Sequence, residues 1–100
     1  MQVAKKEEAF ALSGHVDGRL CPEMRQALYD HIESQEGDVV VDLSGVESID
    51  GTVLRMLGAA AVRLERVGRH LVLRGTPPTL RRILASGHWR RLFRSERTTP

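Results

Sequence analysis

Side chains able to carry chemistry are few in this chain and poorly spaced for catalysis. His15, His31, His70 and His88 show no i, i+4 pairing, so the arrangement that sets two imidazoles on one helix face around a metal is missing. Cys21 is the single cysteine; it cannot form an intrachain disulfide, and a thiolate metal site would need ligands from elsewhere. Lying just before Pro22 at a helix start, it has either a thiol acidified by the helix N-terminus or the plainer role of a small half-buried residue. Ser13, Ser44 and Ser86 sit in no nucleophile-elbow pattern. Gly45, Gly51 and Gly58 are too irregular for a dinucleotide-binding loop, and no phosphate-binding glycine-lysine run occurs. These residues give no expectation of an enzyme, a cofactor or a metal. The densest polar group is Ser44-Gly45-Val46-Glu47-Ser48-Ile49-Asp50-Gly51-Thr52, a connection between an apolar run and a helical stripe.

The elements that must position this connection are legible from periodicity. Residues 8–17 mix apolar and polar positions around Gly14 and read as a strand that bends there. From Leu20 the period becomes helical, with Leu20, Met24, Ala27, Leu28, His31 and Ile32 on one side, His31 as a boundary residue, and Pro22 in the first turn. Asp38-Val39-Val40-Val41-Asp42-Leu43 lacks alternation, the pattern of a central parallel strand covered by helices on both faces. Leu54, Leu57, Ala61 and Leu64 make a second helical stripe stopped by Gly68, and Leu71-Val72-Leu73 is the next strand, completing a β-α-β crossover. Thr76 and Pro77 read as N-cap and first residue of a third helix, with Leu80, Ile83 and Leu84 facing inward and an end by Gly87. Trp89, Leu92 and Phe93 tuck under the sheet edge or form a short last helix. The expected class is α/β, with a mostly parallel or mixed sheet of about four strands and helices packed against it.

With 100 residues, 41% of them apolar and 28% charged, the chain reads as one domain over 1–100, its core about 8–94 and its tail from 95 fraying. The longest apolar-rich stretch, Met56 to Val62, is far short of the ~20 residues a membrane span needs. The N-terminus lacks a signal-peptide core, so a cytoplasmic protein without membrane insertion is expected. Charge is segregated: residues 1–50 hold 4 basic against 11 acidic side chains, and residues 51–100 hold 11 arginines against 2 acids. Arg81, Arg82, Arg90, Arg91, Arg94 and Arg97 raise nucleic acid as a partner, but only Trp89 and Phe93 interleave with them and no base-reading motif accompanies them. Solvated arginines balancing the acidic half are the better expectation.

The segment Val39-Val40-Val41-Asp42-Leu43-Ser44-Gly45-Val46-Glu47-Ser48-Ile49-Asp50-Gly51-Thr52-Val53-Leu54 resembles the STAS family, the anti-sigma factor antagonist domains, in which an apolar strand leads through Asp-Leu-Ser to Asp-Ser-Ser-Gly-Leu at a helix start. Ser13-Gly14-His15-Val16-Asp17 and Leu71-Val72-Leu73-Arg74-Gly75-Thr76-Pro77 resemble two further family elements, so the likeness covers roughly residues 8–94. It implies a STAS-like α/β domain that docks on an anti-sigma factor or serine/threonine kinase in a partner-switching pathway of transcription regulation. It also places the phosphoacceptor at Thr52, with Gly51 in the position of the first serine and Val53 in that of the glycine. Asp17 matches an acidic position near the acceptor loop, so Asp17, Ser48, Asp50, Gly51, Thr52 and Val53 are the expected partner-facing residues. The line Thr52, Met56, Ala59 and Arg63, at i, i+4, i+7 and i+11, is the expected docking face on the helix. The plain alternatives are that Thr52 caps the helix with its hydroxyl, that Asp17 is a turn residue, and that the helix is simply alanine-rich and closely packed. Family members also serve as docking subunits of membrane transport complexes, including lipid transporters, with a transporter ATPase as partner and no phospho-switch. A homodimer through a sheet edge or the apolar helix line, and a nucleic-acid-binding role for the arginine-rich half, complete the alternatives.

Overall fold

Alternation of buried and half-buried side chains along three neighbouring strands sets the architecture. The computed structural model describes residues 2–6, 9–85 and 87–95. Chain order is β1 (Gln2–Lys6), β2 (Ala9–Val16), a 3-10 turn (Gly18–Leu20), α1 (Cys21–Glu33), β3 (Val39–Ile49), α2 (Gly51–Glu65), β4 (Leu71–Arg74), α3 (Pro78–Leu84), α4 (Gly87–Leu92) and β5 (Arg94–Ser95). The five strands lie in the order β1-β2-β3-β4-β5, with β1 antiparallel to β2 and the other four parallel. The α/β class and mostly parallel sheet are as expected; Gln2–Lys6 adds a fifth strand at the edge.

Phe10 and Leu12 of β2, Val39, Val41 and Leu43 of β3, and Leu71 and Leu73 of β4 enter one core with Met24, Leu28, Leu54, Leu57, Leu64, Leu80 and Phe93 from the helical side. The intervening Ala11, Val40 and Val72 are only half-buried. The helices therefore cover one face, not two. Each crossover steps the same way across the sheet, and connections of one hand place their helices on one side. The unbroken apolar run of β3 reflects its central position between β2 and β4 rather than a second helical layer.

Several local expectations change. The polar connection is largely strand: β3 continues to Ile49, paired to β2 through His15↔Ser48 and Val16↔Ile49, with register irregularities flanking Ser13 and Gly14. Gly14 has φ +77, so the bend in β2 sits on the residue that adopts it without strain. His31 is fully buried, not at a boundary, because its ring packs 5.7 Å from that of Phe10 on β2. Leu20 is 40% exposed because the 3-10 turn takes it out of the helical stripe.

The start of α3 falls one residue later than expected, with Pro77 as N-cap, its carbonyl accepting from Arg81 N, and Pro78 first in the helix. In so short a helix only Leu80 reaches the core, Leu84 is half-buried, and Ile83 stays 49% exposed. Trp89 and Leu92, on the short last helix α4, close over α2 at Gly58, where a Cβ would stand 3.3 Å from both side chains. Residues 96–100 of the expected frayed tail lie outside the described residues, whereas Ser95 pairs with Leu73.

The burial contrast yields a stability test. Leu57→Ala, at a residue 1% exposed, is expected to cost about 2–5 kcal/mol in denaturant unfolding, whereas Ile83→Ala on the surface should stay within about 0.5 kcal/mol of wild type.

Candidate functional site

Of the expected site residues, Asp17, Ser48, Asp50, Gly51, Thr52 and Val53 lie at the carboxyl ends of β2 and β3, where parallel strands of an α/β sheet hand the chain to their helices, and Met56, Ala59 and Arg63 lie farther along α2. Asp50 follows β3 directly. Its backbone is extended (φ −92, ψ 162), and its carboxylate takes up N–H groups that the first turn of α2 leaves without helical partners. Oδ1 accepts from Thr52 N at 2.8 Å and Val53 N at 3.2 Å, while Oδ2 accepts from Gly18 N at 2.9 Å. Asp50 N in turn donates to Val16 O at 3.1 Å. One residue thus ties the end of β2, the turn before α1 and the start of α2 together. Gly18 permits that approach: a Cβ there would stand 3.0 Å from both Asp50 Oδ2 and Thr52 Cβ.

Asp17 caps the 3-10 turn, as the plain reading of a turn aspartate has it. Its Oδ1 accepts from Arg19 N at 2.8 Å, and its Oδ2 meets the Arg19 guanidinium at 2.9–3.0 Å. The Gly18 amide, followed by those of Val53 and Thr52, holds the Asp50 carboxyl below its ordinary range, with the Asp17 charge opposing. The Arg19 side chain and amide do the same for Asp17. Both carboxylates are therefore held toward the ionised form at this end of the domain.

Thr52 is exposed at the second position of α2 and does not cap the helix; Asp50 does. Its Oγ1 accepts from Arg55 Nη2 at 3.4 Å. Val53 is 0% exposed, its branched side chain turned wholly into the core. Gly51 is exposed and leaves ordinary room for a side chain, 3.5 Å from the Arg55 guanidinium. Of the line expected to dock, Ala59 and Arg63 are exposed but Met56 is buried at 8% exposure. Met56 stands about 40° around the helix from Thr52, enough to carry it over the edge of the core. The exposed stripe is instead Thr52, Arg55, Ala59 and Arg63, at i, i+3, i+7 and i+11. Arg55 was missed by the sequence reading, although its i+3 spacing from Thr52 was a usable signal.

Ser48 is exposed near the end of β3, its Oγ 2.7 Å from His15 Nδ1, and His15 Nε2 lies 3.2 Å from Glu47 Oε2. Beside Ser48, a shallow groove of about 210 Å³ separates Val46–Ile49 from Pro77, Thr79, Leu80 and Ile83. Among the described residues, no three His, Cys, Asp or Glu side chains gather as metal ligands, and no helix is long and apolar enough to cross a membrane.

A family model described as "Mlab, STAS domain" matches residues 1–94. No curated protein matches the sequence. Among solved structures, a Thermotoga maritima protein provisionally assigned as an anti-sigma factor antagonist superposes with TM-score 0.76 at 16% identity, covering 97% of this chain and 86% of that one. The anti-sigma factor antagonist SpoIIAA in its unphosphorylated form gives TM-score 0.72 at 16% identity, over 98% and 88%. RsbS of Moorella thermoacetica carrying a serine-to-glutamate substitution gives 0.69 at 21% identity, over 98% and 86%. These likenesses show that the fold is shared.

The carboxylate network has a pH signature. Because the folded protein holds Asp50 and Asp17 below the ordinary 3.8, their stabilisation is full above that value and is lost as pH falls from it through their lowered folded values. Asp50→Ala should lower stability at neutral pH and flatten the acid limb of a stability-against-pH curve, as measured by urea unfolding. An unchanged acid limb would contradict the network.

Proposed function

The chain belongs to the STAS domain family, and from that premise we propose that it is a regulatory docking protein similar to the anti-sigma factor antagonists. It binds an anti-sigma factor or serine/threonine kinase and is switched by phosphorylation at Thr52. On this reading it acts in the cytoplasm as one domain, by binding rather than by catalysis. The observation that carries the reading is the exposed Thr52 hydroxyl at the start of a helix fixed by Asp50. Val53 turns inward and Gly51 has no side chain, so neither neighbour obstructs a kinase reaching Thr52. That SpoIIAA, of the same fold, is an antagonist described in an unphosphorylated form supports a phosphorylatable hydroxyl here.

A phosphate on Thr52 adds about −1.5 to −2 charge, which the helix N-terminus favours by roughly 0.3–1 kcal/mol, so the domain should remain folded. Asp50 and Asp17 already make this end acidic. The added charge therefore acts on the partner, whose surface must accept a neutral hydroxyl and reject a dianion. Asp17, Ser48, Asp50 and Gly51 form the rim of that contact, while Val53 and Met56 support it from the core.

A second reading is favoured by Gly51 in place of the first serine. In it the chain is a docking subunit of a membrane lipid transport complex, bound to the transporter ATPase with Thr52 unmodified. Wild type and Thr52→Glu used as baits in host lysate distinguish the two. Capture of an anti-sigma kinase by wild type alone, with one phosphoryl group found on Thr52 by intact mass and fragmentation, is the expected result. Equal capture of a transporter ATPase by both, without phosphate, would replace the first reading by the second.

A further inference from the structure

Below its acidic apex, the exposed stripe of α2 changes sign. Arg55 and Arg63 lie on it, Arg66 follows, and Arg25 of α1 stands alongside, all exposed. No carboxylate among the described residues lies within 4.0 Å of any of these guanidinium groups. Two of them are held in place: Arg25 and Arg63 lie over the ring of Tyr29, at 5.6 and 5.0 Å from its centroid. A half-buried tyrosine thus spaces two guanidinium groups across the junction of α1 and α2. Ala59 between Arg55 and Arg63 leaves the helix low enough for close approach.

We propose that this face, Arg25 and Tyr29 of α1 with Arg55, Ala59 and Arg63 of α2, is a docking surface for an acidic protein segment. The proposal rests on the reading that the chain works by binding a protein and supplies the chemistry of that partner. Arginine pairs with carboxylates through two parallel hydrogen bonds, and guanidinium groups already ordered over an aromatic ring lose less freedom when they do so. Tyrosine and arginine clustered at the centre of a contact are also the residue types that carry most binding energy.

From Thr52 to Arg63 the stripe is about 16 Å long, the reach of three helical turns. Its polarity orients the occupant: carboxylates sit toward Arg25 and Arg63, and an uncharged end sits over Thr52, away from Asp50 and Asp17. A continuous polyphosphate backbone fits less well, because it would run into those carboxylates at the Thr52 end. The patch of Arg81, Arg82, Arg90 and Arg91 on α3 and α4 has no acidic neighbour in sequence and serves as the internal control for charge alone.

The test is a 1H–15N titration of the full chain with a synthetic glutamate-rich helical peptide, its lysine counterpart and a DNA duplex. Saturable shifts with the glutamate peptide at Arg25, Tyr29, Arg55, Ala59 and Arg63 are expected. Binding should weaken by at least about tenfold in Arg25→Glu/Arg63→Glu and persist in Arg82→Glu/Arg90→Glu. The spectrum reports whether each variant is folded, and Arg25→Gln/Arg63→Gln replaces the charge reversal if it is not. Absence of saturable binding, shifts centred on α3 and α4, equal binding of the lysine peptide, or DNA binding along the stripe would overturn the proposal. In the lysate experiment, an identified kinase or ATPase captured undiminished by Arg25→Glu/Arg63→Glu but lost by Thr52→Glu would overturn the stripe while leaving the switch standing. The reverse pattern would overturn the switch alone.

Discussion

One carboxylate organises the functional end of this molecule. Asp50 accepts hydrogen bonds from the amides of Gly18, Thr52 and Val53 and donates its own amide to Val16. The end of β2 and the turn into α1 lie far in sequence from the start of α2, 32 residues separating Gly18 from Asp50, and each would otherwise end in polar groups seeking partners. Joining them at a single residue fixes the direction in which α2 leaves the sheet. The position of everything α2 carries, from Thr52 at its apex to Arg63 three turns on, follows from that.

The rest of the helix is held by packing. Val53, Leu54, Leu57, Ala60, Ala61 and Leu64 face the core along its length, and α4 closes over Gly58. A helix buried over so wide an arc has only a narrow strip left for solvent, and that strip runs through Thr52, Arg55, Ala59 and Arg63. An exposed strip, acidic at one end and basic along its length, on a helix held by its core side is suited to being recognised. On the proposed reading, a small change of charge at the apex acts on the partner without disturbing the fold, because the core side of α2 is separate from its outer side.

Much of this was legible in the sequence, for identifiable reasons. The α/β class, the central β3, the β3-α2-β4 crossover and the bend at Gly14 followed from hydrophobic period and glycine placement. The acid-hydroxyl run around Asp50 and Thr52 was recognisable as a segment. What escaped depends on angle and register. Four residues on a helix are about 40° from a full turn of alignment, so Met56 looked like a surface neighbour of Thr52 while it belongs to the core. The polar residues 44–49 looked like a loop because parallel pairing with β2 across irregular register cannot be read from one strand. Asp50 rather than Thr52 caps the helix through local bonds from the Thr52 and Val53 amides, whereas its second bond, from Gly18, 32 residues away, is encoded by no local pattern. His31 is polar by type yet lies against Phe10 in the core, a contact that exists only once α1 is docked on the sheet.

The most direct test of the account is native-state amide exchange at Gly18, Thr52 and Val53 in wild type and Asp50→Ala, with the amide of Leu57 as a core reference. If a single carboxylate ties the two turns together, removing it should lower the protection of all three amides together, Gly18 included, while Leu57 retains its own. Protection of Gly18 that survives the loss of protection at Thr52 and Val53 would show that the turn before α1 and the start of α2 are held separately, and would contradict the account.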